Sequence, residues 1–150
     1  MPTSRVITWD VTASHGYETA WVELGDRALR ARGRAVGTVP WPYWITYELE
    51  TTDGFVTRRL AVTADDASGT RTLDLRHDLH RALGERRFLM AWVAVPDLDV
   101  RPSRQTYTHV APGRVRFASG DFSSELEVDA EGLVVDYPLP ARRATPGRPD

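Results

Sequence analysis

Alternation of period two dominates the chain. If residues 41–51 are extended, Trp41, Tyr43, Ile45, Tyr47 and Leu49 share one face, while Trp44, Thr46, Glu48 and Glu50 take the other. Leu29, Ala31, Gly33 and Ala35 alternate with Arg30, Arg32 and Arg34 in the same way. So do Leu60 and Val62 with Arg59 and Thr63, and Phe122, Ser124, Leu126 and Val128 with Ser123, Glu125 and Glu127. One apolar and one polar face per run is the mark of half-buried antiparallel strands. Turn residues fall between the runs: Gly25-Asp26, Asp53-Gly54, Pro112-Gly113, Gly120-Asp121 and Asp129-Ala130-Glu131-Gly132. The spacing predicts roughly eleven strands, each pairing with its neighbour in sequence. The expected fold is all-β: an antiparallel meander curled into a barrel or half-barrel, with at most one short helix, over residues 78–85.

The stretch from Phe88 to Val95 departs from this pattern. Phe88, Met90, Trp92 and Ala94 would point one way and Leu89, Ala91, Val93 and Val95 the other, so both faces are apolar. Such a strand calls for cover on two sides. One cover is the core; the other is either a second packed layer or a concavity that holds a ligand. Residues 1–141 are expected to form a single β domain. Residues 142–150, rich in Pro, Gly and Arg, are expected to be a disordered tail.

Composition removes several functions. The formal net charge is −2, which supplies no field for nucleic acid. Every basic residue is arginine, a chain-wide usage that weakens any single arginine as a phosphate clue. With no cysteine there is no disulfide, thiolate zinc site or thiol nucleophile. No apolar run has signal-peptide or membrane-helix length, so a cytoplasmic protein with no integral membrane association is expected.

Catalytic signatures are missing too. There is no G-x-S-x-G elbow, and the carboxylate pairs Glu48/Glu50 and Glu125/Glu127 read as the wet side of strands. His77 and His80 with Asp74 or Asp78 could draw a facial metal site, but a solvated helical turn is the plainer reading. The rows Arg30-Arg32-Arg34 and Arg114-Arg116 could grip an anionic headgroup, although such rows more often face solvent and discourage edge pairing. No enzyme, cofactor or metal is expected.

Near the C-terminus a family resemblance emerges. Residues Ala91-Trp92-Val93-Ala94-Val95-Pro96-Asp97-Leu98, Val100-Arg101-Pro102 and Arg104-Gln105-Thr106-Tyr107-Thr108 carry it, together with Arg116-Phe117 and Glu125-Leu126-Glu127-Val128-Asp129. It ends in Gly132-Leu133-Val134-Val135-Asp136-Tyr137-Pro138. This part of the chain resembles the putative glycolipid-binding family, formerly a domain of unknown function. In the N-terminal half the likeness is limited to strand order and Trp9. The resemblance implies a curled antiparallel sheet similar in shape to bacterial lipoprotein carriers, and glycolipid binding as its activity. A polar segment of the family, with alternating aspartates before the strand at Phe88, has no counterpart here.

The expected ligand is thus a glycolipid-like amphiphile held in an apolar concavity. Candidate contacts are Trp41, Tyr43, Tyr47, Phe88, Met90 and Trp92, with Tyr107 from the stretch that carries the resemblance. Trp44 joins them because it sits on the polar face of its strand, where an indole suits a sugar or lipid. The alternative is a non-catalytic interaction or structural β domain whose cavity is filled by its own side chains.

Overall fold

A computed structural model describes residues 2–76, 87–138 and 140–145, with the backbone alone at 87–90. It contains β1 (Thr3–Val11), β2 (Gly16–Leu24), β3 (Leu29–Gly37), β4 (Tyr43–Thr52), β5 (Val56–Asp66) and β6 (Gly69–Arg76). The second half contains β7 (Arg87–Val93), β8 (Val100–Ala111), β9 (Arg114–Ser119), β10 (Phe122–Val128), β11 (Val134–Tyr137) and β12 (Ala141–Arg143). A single 3-10 turn, Thr12–Ser14, is the only helical element among the described residues, and none is long and apolar enough to cross a membrane.

All strands join one antiparallel sheet in the order β6-β5-β4-β3-β2-β1-β12-β11-β10-β9-β8-β7. Two six-stranded meanders are therefore zipped together where β1 meets β12, at Trp9↔Arg143 and Asp10↔Arg142. The all-β curled meander expected from alternation is present, as an open sheet with β6 and β7 at its edges. The two edges still approach one another. Arg71 of β6 donates to the Pro96 carbonyl at 3.3 Å, and Val93 and Leu98 pack on residues of β4 and β5.

One boundary needs correction. The tail was expected from residue 142, yet Arg142 and Arg143 lie in β12, where both pair with β1 and Arg142 also pairs with β11. The cause is chemical. Arg143 donates to Asp129 at 2.9 Å and to the Val134 carbonyl at 2.9 Å, so its charge is matched inside the seam. Sequence composition carries no trace of such a long-range partner. The helix expected at 78–85 falls outside the described residues.

The turns sit where glycine and aspartate placed them. Asp53-Gly54 joins β4 to β5, and Pro112-Gly113 joins β8 to β9. Gly54 has φ +78° and Gly113 φ +73°, conformations that cost glycine little.

Register shows how the N-terminal meander fills its inward face. Across β1 to β6 one row reads Ile7, Ala20, Gly33, Tyr47, Val62, Leu73. Large residues thus lie beside small ones. A Cβ on Gly33 would stand 2.3 Å from the Tyr47 ring, so the glycine is what lets the ring lie flat on β3. Gly16 is tighter still, since a Cβ there would meet the Val36 carbonyl oxygen at 1.8 Å. Two buried clusters result, one of Tyr43, Ile45, Val62, Ala64 and Leu98, the other of Ile7, Ala20 and Val22. Tyr47 packs against both.

Candidate functional site

The strands β3, β4 and β5 end together at one rim of the sheet, and the segment between β3 and β4 contributes Trp41 and Pro42 there. The result is a cleft of about 720 Å³, lined by Val36, Trp41, Pro42, Tyr43, Trp44 and the Asp65–Ser68 turn. Its walls owe their apolar character to the indoles. Trp44 is 60% exposed and Trp41 43%.

Two carboxylates hold the indoles in place. Trp44 Nε1 donates to Asp65 at 3.0 Å, and Trp41 Nε1 donates to Asp66 at 2.8 Å. Asp65 also accepts from the Thr70 hydroxyl. Asp66 accepts from the Ser68 hydroxyl at 2.6 Å, from the Ser68 N–H at 2.7 Å and from the Arg71 guanidinium. The Ser68 hydroxyl, then Arg71, then Trp41 hold its carboxyl well below the usual carboxylate range. Each tryptophan therefore spends its only donor on the protein and offers a bare aromatic face. That arrangement suits an apolar or CH-rich ligand.

Only part of the sequence-predicted set gathers here. Trp41, Tyr43 and Trp44 line the cleft. Tyr43 is just 6% exposed, so it forms the floor and belongs to the core. Tyr47 lies deeper, where its hydroxyl donates to the Glu18 carboxylate. Burial, and then Glu18, raise its pKa.

The remaining candidates lie in the other meander. Trp92 is 56% exposed, opposite Arg101 in the register, so cover on both sides of β7 does not extend to this position. Phe88 and Met90 pair in the backbone with Gln105 and Ser103, and their side chains fall outside the described residues. Tyr107 donates to Gln105 at 3.0 Å and stacks at a tilt on Phe117, with centroids 5.4 Å apart. Gln105 is buried and donates in turn to Ser103, whose hydroxyl meets that of Ser119 at 3.2 Å. This ladder of amide and hydroxyl groups is a second, more polar interior.

Sequence reasoning missed Asp65, Asp66 and Trp21. The aspartates end β5, and nothing in their local sequence marks them as partners of the tryptophans. Trp21 was detectable by the criterion that singled out Trp44, because it alternates with Ala20 and Val22 and so sits on the polar face.

Comparison with known proteins fits this architecture. The sequence profile of the family described as "Putative glycolipid-binding" matches residues 6–82 and 76–143. The fold is an all-β curled sheet, and the chain belongs to that family. The matched stretches overlap at residues 76–82, and the first of them extends the likeness through the N-terminal half. No curated protein matches the chain. Among solved structures, the crystal structure of a DUF1089 family protein from Pseudomonas aeruginosa, at 1.80 Å resolution, is similar in fold. It is 20% identical with a TM-score of 0.67, over 85% of this chain and 92% of that one.

Proposed function

We propose that the protein binds an amphiphilic small molecule of the glycolipid kind and performs no chemistry on it. The apolar part of the ligand occupies the Trp41–Trp44 cleft. The observation that carries this reading is the pair of exposed indoles pinned by Asp65 and Asp66 around a cleft of about 720 Å³. That volume falls within the roughly 300–1,000 Å³ range of small-molecule sites. The rigid walls lower the ordering cost of binding, and burial of an acyl segment supplies roughly 25 cal/mol per Å². Trp41, Tyr43 and Trp44 are the contacts this reading favours, while Trp92 and Tyr107 lie in the other meander.

Titration with a dodecyl oxyethylene ether below its micelle concentration tests it. Tryptophan emission should shift to the blue with saturation, and Trp44→Ala should weaken the binding. Native mass spectrometry of the purified protein, with extraction of any bound lipid, gives an independent readout. A flat emission titration together with a clean ligand-free mass would overturn the proposal. That result would favour the second reading, an interaction or structural domain, which draws its support from the inward face of β1–β6 being filled by the protein's own side chains.

A further inference from the structure

The outward face of β2 to β5 continues from the cleft as a series of rows set by register. The rim row is Tyr17, Val36, Trp44, Asp65. The next is Thr19, Arg34, Thr46, Thr63. The third is Trp21, Arg32, Glu48, Ala61. Arg34, Thr46 and Thr63 of the second row and all of the third line a hollow of about 610 Å³, and beyond it lies another of about 540 Å³ that includes Trp21, Arg30, Arg32, Glu48 and Glu50. From Trp44 to Glu48 along β4 is four residues, about 13 Å. A trough thus leads from an apolar end to a polar one over the length of a small head group.

The polar end has unused hydrogen-bonding capacity. Arg30 stands opposite Glu50 and Arg32 opposite Glu48, yet neither pair closes into a salt bridge among the described residues. Glu48 instead reaches Arg59 at 3.5 Å. Trp21 is 43% exposed, and the Arg32 guanidinium lies 5.9 Å from its ring centroid, at the outer limit of a cation–π contact. Planar guanidinium and carboxylate groups bind vicinal hydroxyls with two parallel hydrogen bonds, and an indole face covers the CH face of a sugar ring. Arg30, Arg32 and Arg34 are balanced by Glu23, Glu48 and Glu50, so the trough has little net field to select an anion.

We infer that this trough binds an uncharged saccharide, with Trp21 as the stacking platform and Arg32 and Glu48 as the hydroxyl-binding groups. The inference rests on the amphiphile reading above and assigns the sugar end of the ligand.

Calorimetry on the full chain separates the two ideas. The probes are dodecyl β-maltoside, dodecyl phosphate and a dodecyl oxyethylene ether, all below their micelle concentrations. The maltoside should bind about tenfold tighter than the ether. Trp21→Ala and Glu48→Ala should abolish that preference while leaving the ether's affinity unchanged, whereas Trp44→Ala should weaken both. Trp21 is on the surface, so its variant should keep the wild-type circular dichroism. Equal affinities in the wild type, a preference that survives Trp21→Ala, or tightest binding of the phosphate would overturn the saccharide assignment and leave the cleft standing. If no dodecyl probe binds, the cleft reading fails, and methyl β-maltoside decides the trough by itself. A shift of the Trp21 indole resonance would uphold it, and no shift would end it.

Discussion

The two meanders solve the same packing problem with different chemistry. In β1–β6 the buried residues are hydrocarbon or aromatic: Ile7, Ala20, Val22, Tyr43, Ile45, Val62 and Ala64. Glycines at 33 and 37 make room for the tyrosine rings opposite them. In β7–β12 the buried set includes Gln105 along with Phe117 and Leu126, and the amide is satisfied by Ser103 and Tyr107. The contrast bears on where the proposed ligand would fit. A wall already filled with apolar side chains leaves binding to its rim and its outward face. The cleft and the trough both belong to β1–β6, the meander with the tighter interior.

The sharpest way to break this contrast is to empty the apolar wall. Ile45→Ala deletes a buried side chain between Val62, Ala64 and Leu98. Cavity formation in such a site costs about 2–5 kcal/mol, read as a lowered urea midpoint at unchanged slope. Because Ile45 packs in one cluster with Tyr43, the floor of the cleft, the variant should also loosen the rim. A cost well under 1 kcal/mol, far outside that range, would mean the wall is less tightly packed than its burial implies.

The seam between the meanders ranks next. Arg143→Ala removes the donors to Asp129 and Val134, and leaves Asp129, whose carboxyl lies below its usual range, without that partner. Burial there opposes ionisation, while the Leu133 N–H, Arg143 and the Glu131 N–H favour it more strongly. The expected loss is about 1–3 kcal/mol. Hydrogen exchange should show faster opening in β1 and β12 than in β3 to β5; uniform acceleration would show that the seam is not a separate weak point.

In the polar interior, Gln105→Leu tests whether the ladder matters as a network. Ser103 retains Ser119, so about 1–2 kcal/mol is expected. Adding Tyr107→Phe should then cost less than the sum of the single changes, because the two groups share one hydrogen bond. Strict additivity would disconnect them.

Legibility in the sequence divided along the same line. Strands β3, β4 and β10 were readable because one face of each is apolar, and period two then fixes orientation. The turn at Asp53-Gly54 was readable from local backbone preference. What could not be read depended on partners far along the chain. Arg143 looked like part of a polar tail because its match, Asp129, is a turn residue in another hairpin. Trp41 and Trp44 were singled out from the faces their positions predict, but the aspartates that fix them, 25 and 21 positions away, had no local signal. Tyr43 and Tyr47 were read as sharing one face of β4, yet only the glycines opposite them in β3 reveal that the rings fill that face.

The smallest effect expected at neutral pH becomes large in alkali. Tyr47 donates to Glu18 within the apolar wall, and burial followed by repulsion from that carboxylate raises its pKa above the usual value near 10. The folded protein therefore keeps this proton at a pH where the unfolded chain has begun to lose it. Stability is fully present below about pH 10 and falls as the pH rises past the unfolded value. Tyr107 and Tyr137 in the other meander are raised by burial as well, so they contribute a decline of their own. Tyr47→Phe should cost about 1 kcal/mol at pH 7 and should flatten, without abolishing, the alkaline fall in the urea midpoint. Tyr107→Phe should flatten it less, because burial raises that phenol but covers it less completely than Tyr47. Equal slopes for the two variants would mean that the polar and apolar interiors shield their phenols alike, and the contrast between the meanders would fail at its most chemical point.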